Sequence, residues 1–592
     1  MKIKPDTIIE YGLIFLIIFT PLAFGSVHVW AYTIMEVIAL LLLLTRLFQH
    51  FTLHALRFTL PFFLFLGLIL FQMVPIPATV IKHLSPNTYD LYRQTLGNPL
   101  NVKSKTLNFT SHSSLFTLHA SRPLTIYGHA TKTEFLKFFV YVSVFFLIIT
   151  TMTTFRQIRR MALTIIFTGA GVAFLALCQM LGKSDKIYGF WQSQYKVGSY
   201  GGPFINANHL AGYLEMVIPL ALGFLLSRQK PGITRAARNW KQRLSLLESW
   251  LAKNVLLIFS IILTASALFL SVSRGGILSL VFSLGLFSLL LGWRKSQKGK
   301  RKMVLFISGL IFVFLLWLGI GPIAEELATL ANPKTALEGR LQVWKDTLIL
   351  SRDFPLFGVG LGNFQTLYPK YKTITTPTLW EHAHNDYVEM LADTGWIGLL
   401  LFFGGIFIFL FLVMKQWKER RDPLVVGITL GSCTGALTLL CHCGVEFNLH
   451  IPANALLLFI ILGLAQVTVN LNKRPELPVH PFTPAPKITK TILTLTALAV
   501  VFLAAVVLKD FLAHHVVSGS PSLSRATSHL APRTSHLARL RRAIFFDSGN
   551  ASYHYELGNY YARKMTESWK QGTWELIPGR WVFMPGENTQ FY

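Results

Sequence analysis

The chain is built from apolar runs of about twenty residues separated by short polar connectors. Runs of this length match the thickness of a bilayer crossed by an α-helix. They fall at about 8–26, 30–48, 58–75, 134–152, 161–181, 209–227, 254–272, 275–293, 303–320, 396–414, 424–443, 453–470 and 489–508, which predicts 12–13 membrane spans. The first run is followed by AFGS, as a cleaved leader would be, but it is long and flows directly into the second, so it is read as a span. Arg156, Arg159 and Arg160, the basic connector at 228–253, RKSQKGKRK at 294–302 and KQWKERRD at 415–422 all fall on one side when the spans are threaded alternately. The positive-inside rule makes that side the cytoplasm. The expected fold class is therefore an all-α, polytopic transmembrane bundle.

The other side receives 76–133, 182–208, 321–395 and the tail. The 321–395 loop carries nine acidic against six basic residues, and a loop of that length ordinarily has a task of its own. GRLQVWKDTLILSRDFP within it predicts an amphipathic helix with Leu341, Trp344 and Leu348 on one face, ending before Pro355. GVGLGNF follows as a packed turn rather than a dinucleotide fingerprint, since no strand precedes it. A second helix is predicted from about Ala383. This gives a membrane domain over 1–508, a linker over 509–535 and a small helical extension over 536–592. In that extension Leu557, Gly558 and Tyr561 have the spacing of a tetratricopeptide-like hairpin, which needs neighbours or a protein partner to bury its face.

Composition sharpens the class. Of 592 residues, 52% are hydrophobic and 14% charged, against about 25% charged in soluble domains. The net charge of +28 is spread through connectors between apolar runs, so nucleic acid is not the expected partner; the membrane is. Cys178, Cys433, Cys441 and Cys443 are too few for a disulfide scaffold.

Four constellations on the outer side could carry chemistry. GPFINANHLAGYLEMVIPL at 202–220 offers Asn206, Asn208 and His209, with Glu215 about one and a half turns inside a span, where acids are functional suspects. SVSRGG at 271–276 places Arg274 at a helix boundary, where a lone arginine could equally snorkel to headgroups. Arg340 opens the amphipathic loop helix. EHAHNDYVEMLADTGWIG at 381–398 supplies His382, His384, Asn385 and Tyr387. His382 and His384 lack the i, i+4 spacing of helical metal ligands, and CHC at 441–443 has no second cluster, so no metal is expected.

Together, SVSRGG, GRLQVWKDTLIL…PLFGVGLGNF and AHNDYVEMLADTGWIGLL resemble the bacterial O-antigen ligase and polymerase superfamily over roughly 195–470. The ligase branch is recognised by His followed by Asn, Ser or Gln, nine residues and Gly-x-x-Gly; here His384-Asn385 is followed by nine residues and Gly395-Trp396-Ile397-Gly398. The resemblance implies a membrane glycosyltransferase of the GT-C type in the bacterial inner membrane. It would take a glycan from a polyprenyl-diphosphate carrier at the periplasmic face and pass it to an acceptor hydroxyl, with no cofactor. A thirteenth span and an external helical tail depart from the usual twelve spans with both ends cytoplasmic, which leaves the acceptor open: lipid A–core, a glycan or a protein.

A departing diphosphate needs its developing charge neutralised by a metal or by guanidinium groups. No aspartate pair accompanies these motifs, whereas Arg274 and Arg340 lie on the expected side, so the site reads as metal-independent. The resemblance assigns the general base to His384, with His382 in reserve; histidine's ordinary ionisation near neutrality suits that task. If 383–391 is helical, His384, Tyr387 and Leu391 share a face, which would set an aromatic beside the imidazole for stacking on sugar. Asn385 would orient backbone or substrate, and Asn206, Asn208 and His209 would line the cavity; Glu215 is either a further substrate-binding residue or a buried, hydrogen-bonded helix contact. Gly395 and Gly398 would let the next span pack closely. Attack opposite the diphosphate would invert the anomeric centre. A transporter or flippase would instead show two Gly/Pro-broken halves with ionisable groups at mid-membrane, and no internal repeat is visible.

Overall fold

The computed structural model describes residues 4–47, 56–96, 121–192, 201–228, 240–292, 309, 337–374, 379–471, 486–518, 533–570, 573–577 and 580–584. Among these, eleven helices are long and apolar enough to cross a membrane, and each coincides with a predicted span. The predicted span at 58–75 appears as the shorter apolar stretch Thr59–Met73, and that at 303–320 lies outside the described residues. The protein is a multi-pass, all-α membrane protein. The last apolar helix runs farther than expected, Pro486–Ser518 rather than 489–508, and takes up part of the expected linker.

The chain divides into Met1–Val500 and Val501–Tyr592. In the second unit the helices Arg533–Phe546 and Ala551–Lys570 occupy the expected helical extension, with Ala513, Ala543 and Tyr553 forming a small apolar core. A two-stranded antiparallel hairpin, Thr573–Ile577 with Arg580–Met584, follows and departs from the all-helical expectation for this tail.

Helix starts in the first unit follow local chemistry. Thr154 and Gln157 form a reciprocal capping box for Phe155–Leu181. Asp422 caps Pro423–His442, where Pro423 occupies a position with no amide hydrogen to satisfy. Asn206 and Asn385 cap Ala207–Ser227 and Asp386–Leu399.

The centre of this unit is made by Ala207–Ser227, Pro423–His442 and Pro452–Asn470, whose side chains are almost entirely enclosed by other helices. Apolar side chains gain little by leaving lipid for protein, so close backbone approach must hold such helices together. Gly427, Gly431 and Gly435 recur every fourth residue and form one stripe facing Ala207–Ser227. A Cβ on Gly431 would lie 2.5 Å from the Pro219 carbonyl oxygen, and one on Gly435 2.7 Å from that of Met216. Gly427 meets Gly223 backbone to backbone.

The amphipathic loop helix is present as Leu337–Asp353, but it presents a different face to the core. Leu341 and Leu348 are exposed, while Val343, Asp346, Thr347 and Leu350 are buried. The reversal has a polar cause. Asp346 accepts hydrogen bonds from the Thr373 amide (3.0 Å), the Thr373 hydroxyl (2.9 Å), the Gln342 amide (2.9 Å) and the Tyr368 hydroxyl (3.3 Å). Satisfying a buried carboxylate outweighs burial of two leucines.

The glycine-rich turn after this helix docks on residues 392–396. Val359 and Gly360 donate to the carbonyls of Ala392 and Asp393 at 3.0 and 2.9 Å, and the Trp396 amide donates to the Pro355 carbonyl at 2.8 Å. Gly395 breaks its helix here with φ 66° and ψ −174°, a conformation open only to glycine. Its role is thus a kink that admits the turn, whereas Gly398 faces Leu68 of the Leu56–Met73 helix.

Replacing Gly431 with leucine should force the two central helices apart, with a loss of about 1–3 kcal/mol or more. Thermal unfolding in detergent will show a lowered midpoint. Gly285→Leu, at a position with nothing within 4 Å, should leave the midpoint unchanged.

Candidate active site

The turn at 443–451, which joins Pro423–His442 to Pro452–Asn470, is where the sequence-predicted residues converge. Its Glu446 is buried. Oε1 accepts a hydrogen bond from His384 Nδ1 at 2.6 Å, and Oε2 accepts one from Asn208 Nδ2 at 2.7 Å. Arg340 reaches Oε2 at 3.4 Å and donates to the Val445 carbonyl at 3.0 Å. One carboxylate therefore joins three predicted residues drawn from three distant segments.

His384 reaches Glu446 because it lies outside any helix. The helix starts at Asp386, with the Asn385 side chain accepting from the amides of Tyr387 (3.0 Å) and Val388 (3.2 Å). His384 sits just before this cap at φ 53°, an uncommon conformation for a side-chain-bearing residue. The helical face shared by His384, Tyr387 and Leu391 consequently does not exist. Tyr387 turns away, its ring 4.2 Å from that of Phe403 and its hydroxyl donating to the Leu440 carbonyl at 2.8 Å. That places Tyr387 in helix packing, not beside the imidazole as expected.

Phe447 occupies the middle of the site. Its ring lies 4.8 Å from His384, 4.3 Å from His382 and 4.6 Å from His209. Trp380 meets His384 edge-on at 5.8 Å, and Trp344 donates to the Ala383 carbonyl at 2.9 Å, which ties the loop helix to the histidine segment. His209 is buried with Nε2 lacking a partner among the described residues.

The remaining predicted residues fall nearby in different roles. Asn206 accepts from the Asn208 amide at 2.9 Å and so acts locally as a cap. Arg274 opens the Arg274–Gly292 helix, and a Cβ on the next residue, Gly275, would lie 2.6 Å from His442 Nε2 and 3.1 Å from Val445 Cγ2. The SVSRGG segment thus borders the same turn that Arg340 grips. Glu215 is fully enclosed, with both oxygens 3.1 Å from His442 Nδ1. This is the buried, hydrogen-bonded helix contact, one of the two readings open for Glu215.

His382 bonds Glu389 through Nδ1 at 2.8 Å. Sequence spacing predicts no metal set, yet the fold assembles one possible set from His382, Glu389 and His450, whose ligand atoms lie within 4.8 Å of one another.

Burial works to raise the Glu446 pKa, but the His384 hydrogen bond and the charges of His384 and Arg340 prevail and hold it well below the usual carboxylate range. For His450, burial favours the neutral ring, while Glu389 and Asp386 outweigh it and push the pKa up to about 10.

Sequence reading missed Glu446. The available signal is the density of polar residues in VEFNLH, a short connector between two apolar spans.

Residues 259–403 match the family model described as O-Antigen ligase. No curated protein matches the chain. The matched region contains Arg274, Arg340, His382 and His384 and is narrower than the 195–470 over which motifs suggested resemblance; Asn208 and Glu446 lie outside it. Membrane architecture and this partial match are consistent with a membrane enzyme of the O-antigen ligase superfamily.

A carboxyl with a pKa lowered by folding contributes stability that is present above its unfolded value, near 4.5, and is lost as pH falls toward the folded value. Wild type should therefore melt above Glu446→Gln at neutral pH, with the gap closing on acidification below about pH 4.5. Melting curves of both proteins across that range in detergent check this.

Proposed function

We propose that the chain is an O-antigen ligase-like glycosyltransferase, which moves a glycan from a polyprenyl-diphosphate carrier to an acceptor hydroxyl at the periplasmic face of the bacterial inner membrane. The observation that carries this reading is the convergence of His384, Arg340 and Asn208 on buried Glu446.

In this reading Nδ1–H of His384 donates to Glu446, which leaves the Nε2 lone pair for the acceptor hydroxyl. As that hydroxyl attacks the anomeric carbon, its proton passes to Nε2 and the bond from the anomeric carbon to the diphosphate oxygen breaks. Glu446 then stabilises the imidazolium, as the carboxylate of a catalytic triad does. Displacement from the opposite side inverts the anomeric centre. The electron pair of the broken bond leaves with the diphosphate, whose charge Arg340 and Arg274 receive.

Arg340 spends two of its nitrogens on Val445 and Glu446, and its side chain keeps about a third of its surface exposed for this purpose. The guanidinium fork is suited to phosphate oxygens and stays charged throughout. No metal is assigned to the diphosphate. His209 Nε2, without a partner among the described residues, supports a substrate contact, as does the partial exposure of the His384 side chain. Asn385 serves by capping the helix behind His384, and Asn206 by ordering Asn208.

The acceptor is lipid A–core or a similar hydroxyl-bearing molecule. A protein acceptor is the second reading; it is favoured by the helical tail, which leaves Phe545 and Tyr555 exposed as apolar contact points.

The test uses purified full-length protein in lipid with a labelled polyprenyl-diphosphate glycan and lipid A–core, without added Mg²⁺ or Mn²⁺. Label should move to lipid A–core, and His384→Ala should slow transfer by about 10²–10⁴-fold. A ladder on the carrier would indicate a polymerase, and label on an added protein a protein glycosyltransferase. Absence of transfer to every acceptor, or full activity of His384→Ala, would overturn the reading.

A further inference from the structure

Behind the Glu446 centre a second cluster joins three segments. Glu389, in the first turn of its helix, is buried and turns Oε1 toward two histidines, His382 Nδ1 at 2.8 Å and His450 Nε2 at 3.3 Å. The remote atoms of two of these groups are anchored. Glu389 Oε2 accepts the Ala383 amide at 2.7 Å, and His450 Nδ1 lies 3.1 Å from Asp386 Oδ1. Asp386 is itself fixed through Oδ2 by the Leu449 amide at 3.1 Å. The His382 ring is held flat against Phe447, with ring planes 24° apart.

The near atoms thus point inward, and the far atoms of Glu389 and His450 are tied down. A histidine that offers one nitrogen inward and gives the other to a carboxylate has the outer-shell arrangement of metal-bound imidazole, in which the carboxylate fixes tautomer and ring orientation. Two imidazoles and one carboxylate suit a borderline divalent cation such as Zn²⁺, which takes the place of the proton that His450 otherwise directs at Glu389, whereas Mg²⁺ and Ca²⁺ prefer oxygen sets. The scale also fits. Ligand atoms about 2.0–2.1 Å from a tetrahedral ion stand roughly 3.3 Å apart, and here all three lie within 4.8 Å of one another. Partial exposure of the His382 side chain, against near-complete burial of Glu389, leaves the open coordination position on the His382 side.

We propose that His382, Glu389 and His450 form a zinc-type divalent-cation site with Asp386 as its outer-shell carboxylate. The cation pins the 379–385 segment to the 443–451 turn. Those two segments also carry His384 and Glu446, so the ion acts on the active-site geometry as a cross-link, apart from the diphosphate. His382 becomes a ligand in place of a reserve base.

The test uses full-length protein without a histidine tag, in detergent, stripped with a chelator, incubated with Zn²⁺ and desalted. Elemental analysis should find about one equivalent per chain. Co²⁺ in its place should give the visible absorption of a low-symmetry site. His382→Ala should lose the ion and His384→Ala should keep it. His450→Ala strips a partner from two buried carboxylates and can unfold the chain, so partly exposed His382 is the diagnostic position, with its elution profile compared to wild type. Zinc no higher in wild type than in His382→Ala, or lost equally in His384→Ala, would overturn the proposal. Since the readout is metal content, either result leaves the glycan-transfer reading standing or falling on its own assay.

Discussion

A charged carboxylate enclosed by protein must be paired, and the Glu446 side chain is enclosed almost completely. That requirement organises the surrounding structure. Its partners come from the start of the Ala207–Ser227 helix, from the loop helix and from the segment before Asp386, and each of these elements must end where its side chain can reach. His384 adopts left-handed backbone at a cost of about 1–3 kcal/mol, which the short hydrogen bond to Glu446 offsets. Removing any one partner leaves the carboxylate underserved, so the cluster behaves as a unit.

The membrane core makes that placement possible. The glycine stripe at 427, 431 and 435 brings Pro423–His442 into backbone contact with Ala207–Ser227, which sets Asn208 beside the 443–451 turn and Glu215 beside His442. From the other side, Gln72 donates to the carbonyls of Phe357 (2.6 Å) and Asp393 (3.0 Å) and so clamps the glycine-rich turn to the kinked helix. Lipid supplies little force between helices, so steric closeness and buried hydrogen bonds carry the positioning that apolar burial provides in soluble enzymes.

Much of the scaffold was legible in the chain. Hydropathy located each of the eleven long apolar helices, because bilayer thickness imposes one length on all of them. Asn385 reads from the sequence as orienting backbone or substrate, and in the structure its side chain caps the Asp386–Leu399 helix. Four things escaped. Apolar periodicity gives the wrong buried face for Leu337–Asp353 because it ignores Asp346, which bonds Tyr368 and Thr373. A helical phase for His384 fails because the cap, Asn385, begins one residue later. For Glu446 the polar density of its connector is a signal, but its bond to His384 spans 62 residues and depends on helix packing that no local pattern encodes. The His382–Glu389–His450 set escaped likewise, being drawn from a loop, a helix and a distant turn.

In the proposed glycan transfer, Glu446 and His384 act as one device. A double-mutant cycle on single-turnover transfer rate, using His384→Ala, Glu446→Gln and the pair together, tests it most directly. If Glu446 works through His384, the double variant will be about as slow as His384→Ala alone, since groups acting as a unit are strongly non-additive. Independent multiplication of the two effects would show that Glu446 serves transfer by another route and would contradict the account.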